Sequence, residues 1–301
     1  EINTDKVPSE DSLYLESSGN LSVSENCETI VYEDISKRSE NVKHFDLGYG
    51  NYQAIVYGTP VHRKDSNGNW QDIDNRLFSS DSLNGTKIGS SLLSTIDGRI
   101  KMASGTKTDD PFISVNENGY VISMTPLYNS MENISSEKTG TSADVINHET
   151  ENMTNGVRIS DDNFDKLSDI SNTTKIKYRD VYNHTDIEYI LMANDIKENI
   201  IIKQATGNYT YRFALALSGL YPELQSSGEI ILFDSQTDEQ KYVMPAPYMY
   251  DADNEYSYNV RYELSRVGKA YTITVIADKE WIESADRKFP VVVDPTLERP
   301  F

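Results

Sequence analysis

The sequence predicts an all-β protein: two antiparallel β-sandwich-like domains with little helix. Three observations carry this expectation. Short apolar–polar alternations recur along most of the 301 residues, and tight-turn pairs such as Asn118-Gly119 separate many of them. The alternation of strands with long helical periods that marks a parallel sheet is missing, which excludes a doubly wound nucleotide-binding fold.

Residues 1–29 are rich in Ser, Glu and Asn with scattered apolar positions, and read as a weakly ordered polar lead-in. A first β domain follows at 30–128. In "FDLGYGNYQAIVYG" two strands flank a Gly-rich turn at Gly48–Asn51, and Tyr52, Ala54 and Val56 fall on one face. "KIGSSLLSTIDGRIKMAS" holds two shorter runs broken at Asp97-Gly98. In "FISVNENGYVISM", Asn118-Gly119 supplies the positive-φ pair of a two-residue hairpin between β-branched flanks.

Residues 129–156 lose their aromatics and fill with Ser, Thr, Asn and Glu, so they read as a polar linker or long loop, with His148 solvated. A second β-sandwich domain is expected at 157–301. "DIEYILMANDIKENIIIK" is strand, turn at Ala193–Asp195, strand. "YTYRFALAL" places Tyr209, Tyr211, Phe213, Leu215 and Leu217 on one apolar face. "EIILFDSQTDEQKYVM" repeats the hairpin pattern. "YSYNVRYELSRVGKAYTITVIAD" is read as a hairpin with Tyr256, Tyr258, Val260, Tyr262 and Leu264 on one side. "FPVVVDP" is a short buried strand, and "DKEWIESAD" is the one helical stretch.

Charge bounds the partners. With 48 acidic against 28 basic residues, the net charge is −20. That disfavours a phosphate backbone, where lysine and arginine must displace counterions, so no nucleic-acid partner is expected. Anionic lipid is disfavoured for the same reason, and no run approaches the roughly 18 apolar residues of a membrane helix. Cys27, the single cysteine, lies between Glu25 and Glu28 and cannot form an internal disulfide.

Site chemistry is sparse. "RKDSNGNWQDIDN" (63–75) gathers Asp65, Asn67, Asn69, Asp72 and Asp74 as a calcium loop would. The sixth position of such a loop is Trp70 and the twelfth Arg76, however, where glycine and a bidentate glutamate belong. A hairpin turning at Asn67-Gly68 accounts for more of the stretch, and "YDADNEYS" (250–257) is read as a turn likewise. Nucleophile elbows, zinc-protease helices and phosphate-cradling loops are absent from the sequence. The expected site therefore contains no catalytic residue, cofactor or metal. The candidate contact surface is Tyr248, Tyr250, Tyr256 and Tyr258 in "PAPYMYDADNEYSY", since tyrosine offers area and a hydroxyl at small entropic cost. The alternative is that each is an ordinary half-buried strand residue. An isopeptide cross-link between Lys177 and Asp294 is a further candidate.

Several strings resemble one family. "ENVKHFDLGYGNYQAIVYGTPVHRKDSNGNWQDIDNRL" (40–77), "YRDVYNHTDIEYILMANDIKENIIIK" (178–203), "MPAPYMYDADNEYSYNV" (244–260) and "DKEWIESADRKFPVVVDPT" (278–296) are similar to an amino-terminal β-rich module. That module belongs to Firmicutes RHS/YD-repeat and DNRLRE domain-containing secreted or wall-associated proteins. The resemblance implies an extracellular, secreted or wall-associated setting. The expected function is a non-catalytic binding or adhesion module, not an enzyme, recognising a host extracellular protein such as immunoglobulin, or a host or bacterial glycan. The alternative is a structural spacer or cap for a downstream YD-repeat toxin region, and a glycoside hydrolase comes third.

Overall fold

A computed structural model describes residues 29–65, 67–79, 92–105, 111–127, 144–147, 157–159, 174–193 and 195–298. The expected lead-in up to residue 28, Cys27, His148 and most of the 129–156 linker lie outside the described residues.

The fold is all-β and antiparallel throughout. Helix among the described residues is confined to a 3-10 turn, Ile35–Lys37, and one short helix, Lys279–Ile282. Asp278 caps that helix by accepting the Glu280 N–H at 2.9 Å.

Two large sheets carry the architecture. The first runs, in spatial order, through Val260–Val267, Ala270–Ala277, Thr210–Ser218, Tyr120–Pro126, Ile113–Glu117, Ile100–Ala103, Leu92–Ser94 and Phe78–Ser79. The second runs through Asp144–Asn147, Thr174–Tyr182, Thr185–Leu191, Ile196–Ile202, Val291–Asp294, Tyr248–Tyr250 and Tyr256–Ser257, with Thr296–Leu297 also on Ile196–Ile202.

Period-two alternation decides which side chains enter the core. Tyr211, Phe213 and Leu215 are buried while Arg212 and Ala216 are exposed, as the sequence pattern requires. Their inward faces join Ile122, Met124, Ile113 and Val115 from the first sheet to Tyr189, Ile200, Val291 and Val293 from the second in one apolar cluster. The Asn118-Gly119 hairpin also forms as expected, with φ of 51° and 85° and Tyr120 opposite Glu117.

Two sequence expectations meet a different topology. Thr210–Ser218 pairs with Tyr120–Pro126 from Val121↔Ser218 to Pro126↔Phe213, so strands from 30–128 and 157–301 share one sheet and one core. The expected boundary at 129–156 is crossed by this pairing, and Asp144–Asn147 within that stretch pairs with Thr174–Lys177. Alternation reports which face a residue occupies and is silent about the partner strand. Second, Tyr256 and Tyr258 do not share a face with Val260 and Tyr262. The chain leaves the second sheet after Ser257 and enters the first at Val260, leaving Tyr256 and Tyr258 55% and 79% exposed.

Smaller sheets flank this body. Thr29–Glu33 pairs with Val157–Ile159 and with Val42–Gly48, which pairs in turn with Asn51–Val56. Val31 and Phe45 form a separate small core there. Among the described residues, the hairpin His62–Lys64 with Trp70–Asp72 forms a two-stranded sheet of its own.

Candidate functional site

The four expected tyrosines come together on the outer face of the second sheet. Tyr248 lies opposite Asp294, Tyr250 opposite Val292 and Tyr256, while Met249 and Val293 point into the core. Ring centroids are 6.2 Å apart for Tyr248–Tyr250, 6.1 Å for Tyr248–Tyr256, 5.6 Å for Tyr250–Tyr256 and 6.4 Å for Tyr248–Tyr258. All four distances fall in the range of attractive aromatic contact. Tyr258 and Tyr256 are the exposed rungs, and Tyr248 and Tyr250 are half-buried.

A polar patch underlies the rings. Lys197 lies opposite Thr296, which places its Nζ against Asp294 in a direct ion pair and 6.0 Å from the Tyr248 ring centroid. Thr296 Oγ1 donates to Asp294 Oδ1 at 2.8 Å. Burial, followed by the neighbouring Asp294 carboxylate, pushes the Tyr248 hydroxyl up to about 12. Asp294 therefore pairs with Lys197, and the strand order places Lys177 too far away for the candidate Lys177–Asp294 cross-link. Two strands separate Thr174–Tyr182 from Val291–Asp294, a span of roughly 14 Å at ordinary strand spacing. Lys177 instead faces Asp186 at 3.6 Å.

The acidic stretches are turns held by the carboxylates of Asp65, Asp74 and Asp251. Asp65 accepts from the N–H groups of Asn67 and Asn69, each at 2.9 Å, and from Gln71 Nε2 at 3.2 Å. Those bonds, the Asn69 N–H first, hold its carboxyl below the ordinary range. Asp74 accepts from Arg76 through the backbone N–H at 3.0 Å and Nη2 at 2.6 Å. In the second stretch, buried Asp251 accepts from the N–H groups of Asp253, Glu255 and Lys288 and from Arg287 Nη1, at 3.0–3.1 Å. It fixes the hairpin that brings Tyr250 opposite Tyr256.

Asp72 does something else, which the sequence reading missed. It turns away from its own loop into a cluster with Glu33, Arg38, Lys43 and His62. Arg38 Nε and Nη2 donate to the two oxygens of Glu33 at 2.6 and 2.7 Å, and Nη2 also donates to Asp72 Oδ2 at 2.8 Å. Lys43 Nζ donates to Asp72 Oδ1 at 2.5 Å. His62 Nε2 stands 3.4 Å from Glu33 Oε1 and 3.5 Å from Asp72 Oδ1. The Glu33 and His62 side chains are 1% and 0% exposed, whereas Asp72 is 48% exposed. Burial works to raise the Glu33 carboxyl, but contacts with His62, Arg38 and Lys43 outweigh it and bring it to about 2. The hairpin pairs Lys64 with Trp70, Arg63 with Gln71 and His62 with Asp72. Counting outward from a two-residue turn at Asn67-Gly68 would set Lys64 opposite Gln71 and Arg63 opposite Asp72. The register differs by one residue because Gly68 but not Asn67 takes positive φ and the Asp65 N–H bonds the Asn69 carbonyl. Glu33, Arg38 and Lys43 reach the hairpin only through tertiary packing.

A third ionisable group lies between the large sheets. Glu198 is buried among apolar side chains, and its Oε1 accepts the Tyr189 hydroxyl at 2.9 Å. Burial raises its carboxyl to about 8, so it is largely neutral near pH 7.

No protein-family model matches the chain, and no solved structure matches it. Among curated proteins, the chain is 26% identical over 272 residues to the tRNA nuclease WapA of Bacillus subtilis (strain 168). It is 25% identical over 272 residues to the tRNA3(Ser)-specific nuclease WapA of Bacillus spizizenii, and likewise to the tRNA(Glu)-specific nuclease WapA of Bacillus subtilis subsp. natto. Each match covers 88% of this chain and 10% of the relative, so the chain spans about a tenth of the length of the curated relatives it matches.

These relatives overturn the expected adhesion module with a host-protein or glycan partner. They likewise overturn the exclusion of enzymatic activity and of nucleic acid as a partner. The physical reason lies in scope. A net charge of −20 describes these 301 residues, while relatives of about nine times this length carry segments whose charge this sequence does not report.

Proposed function

We propose that this chain is a structural module, a spacer or cap, of a larger tRNA-nuclease protein of the WapA kind, positioned upstream of a YD-repeat toxin region. The observation that carries this reading is the alignment of 88% of the chain with tRNA nucleases of which it represents only 10%. The shared core, which ties strands from residues 78 to 297 into two facing sheets, suits a segment whose task is to hold shape. Within this reading the whole protein acts on tRNA, in an extracellular or wall-associated RHS/YD-repeat setting supported by the strings at 40–77, 178–203, 244–260 and 278–296. The tyrosine face of Tyr248, Tyr250, Tyr256 and Tyr258 is the surface offered to neighbouring segments of that protein.

The test uses the whole protein. Cleavage of purified tRNA is followed by gel electrophoresis for the intact protein and for a Phe213→Asp variant, which places a charge in the shared core. Activity in the intact protein, with loss of its protease resistance in the variant, is the expected result. An intact protein that leaves tRNA uncut, or a variant with unchanged protease resistance, overturns the reading.

A further inference from the structure

We propose that Glu33, His62 and Asp72 form a binding site for zinc or a similar borderline divalent metal, which fastens the His62–Asp72 hairpin to the Thr29–Glu33 strand. The argument begins with the imidazole. His62 Nδ1 lies 2.6 Å from the Ser39 carbonyl oxygen, which can only accept, so Nδ1 carries the hydrogen and donates it. Nε2 then points inward from a side chain that is 0% exposed and has no hydrogen-bond partner among the described residues. In the neutral ring it is a lone pair aimed at two carboxylate oxygens.

The two separations from Nε2 match a coordination shell. The three ligand atoms lie within 4.8 Å of one another, and the two distances from Nε2 are 3.4 and 3.5 Å. A tetrahedral ion with bonds of roughly 2.0–2.1 Å separates its ligands by about 3.3–3.4 Å. The surroundings fit as well. A backbone carbonyl holds the distal ring N–H of His62, and Arg38 donates to both carboxylates, the outer-shell pattern that orients ligands around a metal. An imidazole with two carboxylates selects zinc-like ions over calcium or magnesium, which take oxygen donors alone.

Charge sets the competition. Arg38 and Lys43 already balance Glu33 and Asp72, so an entering divalent ion must displace positive charge. Lys43 is the one that can leave, since its side chain is 10% exposed against 5% for Arg38 and its stem can carry the ammonium to solvent. A proton on Nε2 is the rival occupant of the same position.

The experiment takes the 301-residue chain, strips it with chelator, dialyses it against zinc, and measures bound metal by mass spectrometry alongside the melting temperature. One zinc per chain and a melting temperature raised by several degrees are expected in the wild type. Lys43→Met should tighten zinc by about tenfold or more by removing the competing charge. His62→Gln should lose both binding and shift. Should that variant fail to fold, Asp72→Asn, at a half-exposed position, serves in its place. Substoichiometric zinc with an unchanged melting temperature in both wild type and Lys43→Met overturns the proposal, as does equal zinc in wild type, His62→Gln and Asp72→Asn.

Discussion

Replacing Glu198 with Gln should change how the stability of this protein depends on pH. The Glu198 carboxyl is enclosed between the large sheets, and burial moves it from an ordinary 4.5 to about 8 in the folded state. A group raised on folding contributes most below its unfolded value and loses that contribution as pH rises through its folded value. Below about 4.5 both states hold the proton. Between about 4.5 and 8 the unfolded chain releases it and the folded protein keeps it, so stability falls by at most about 1.4 kcal/mol per pH unit, or about 5 kcal/mol over the window. This is an upper bound, because local relaxation and water entry reduce the cost of ionising a buried carboxyl. Glutamine is nearly isosteric, carries no charge at any pH, and can still accept from the Tyr189 hydroxyl through its carbonyl oxygen. Urea denaturation of both proteins at several values from about pH 5 to 9 measures the difference. The wild type should match the variant at the acidic end and fall progressively below it toward the alkaline end. Parallel stability profiles across the range would refute the assignment of a neutral, enclosed Glu198.

Four further outcomes are expected. Arg38→Met leaves the buried Glu33 carboxylate without its bidentate partner and should cost about 3–5 kcal/mol in urea unfolding, much of it recovered when Glu33→Met is added. Because the Glu33 carboxyl is held at about 2, its contribution is present above about 4.5 and lost as pH falls toward 2, so Glu33→Gln should flatten the acid limb of the stability profile. Asp251→Ala orphans three backbone N–H groups and Arg287 together and should cost roughly 3 kcal/mol, read as a drop in the urea midpoint. Tyr256→Ser, at an exposed rung, should change stability by less than about 1 kcal/mol while weakening the near-ultraviolet circular dichroism of the stacked rings.

Local signals in the sequence were dependable where chemistry and neighbours coincide. The Asn118-Gly119 reversal forms because both residues tolerate positive φ between strand-forming flanks, whereas the hairpin before Trp70 turns through residues 65–69 with Gly68, not Asn67, at positive φ. The alternation of Tyr211, Phe213 and Leu215 fixed which side of that strand is buried. The clustering of Tyr248, Tyr250 and Tyr256 could be anticipated because a turn at 251–255 returns the chain beside itself. The alternation nonetheless runs Tyr256 and Tyr258 into the strand of Val260, since nothing in "YSYNVRY" marks the point where the chain changes sheets. In the same way, the sequence leaves the lysine facing Asp294 open, because Lys177 and Lys197 both lie on alternating strands and only strand order separates them.

By itself, then, the sequence determined the all-β class, the faces of most strands and the reversals between them, all of which depend on residues a few positions apart. The tertiary structure alone decided that Thr210–Ser218 joins Tyr120–Pro126, that Glu33 and Arg38 meet the His62–Asp72 hairpin, and that Glu198 is sealed among apolar side chains. The physical reason is that backbone hydrogen bonding makes any two strands of suitable alternation compatible partners. The choice among them, and with it each carboxylate's neighbours and protonation, is made by burial of the whole core.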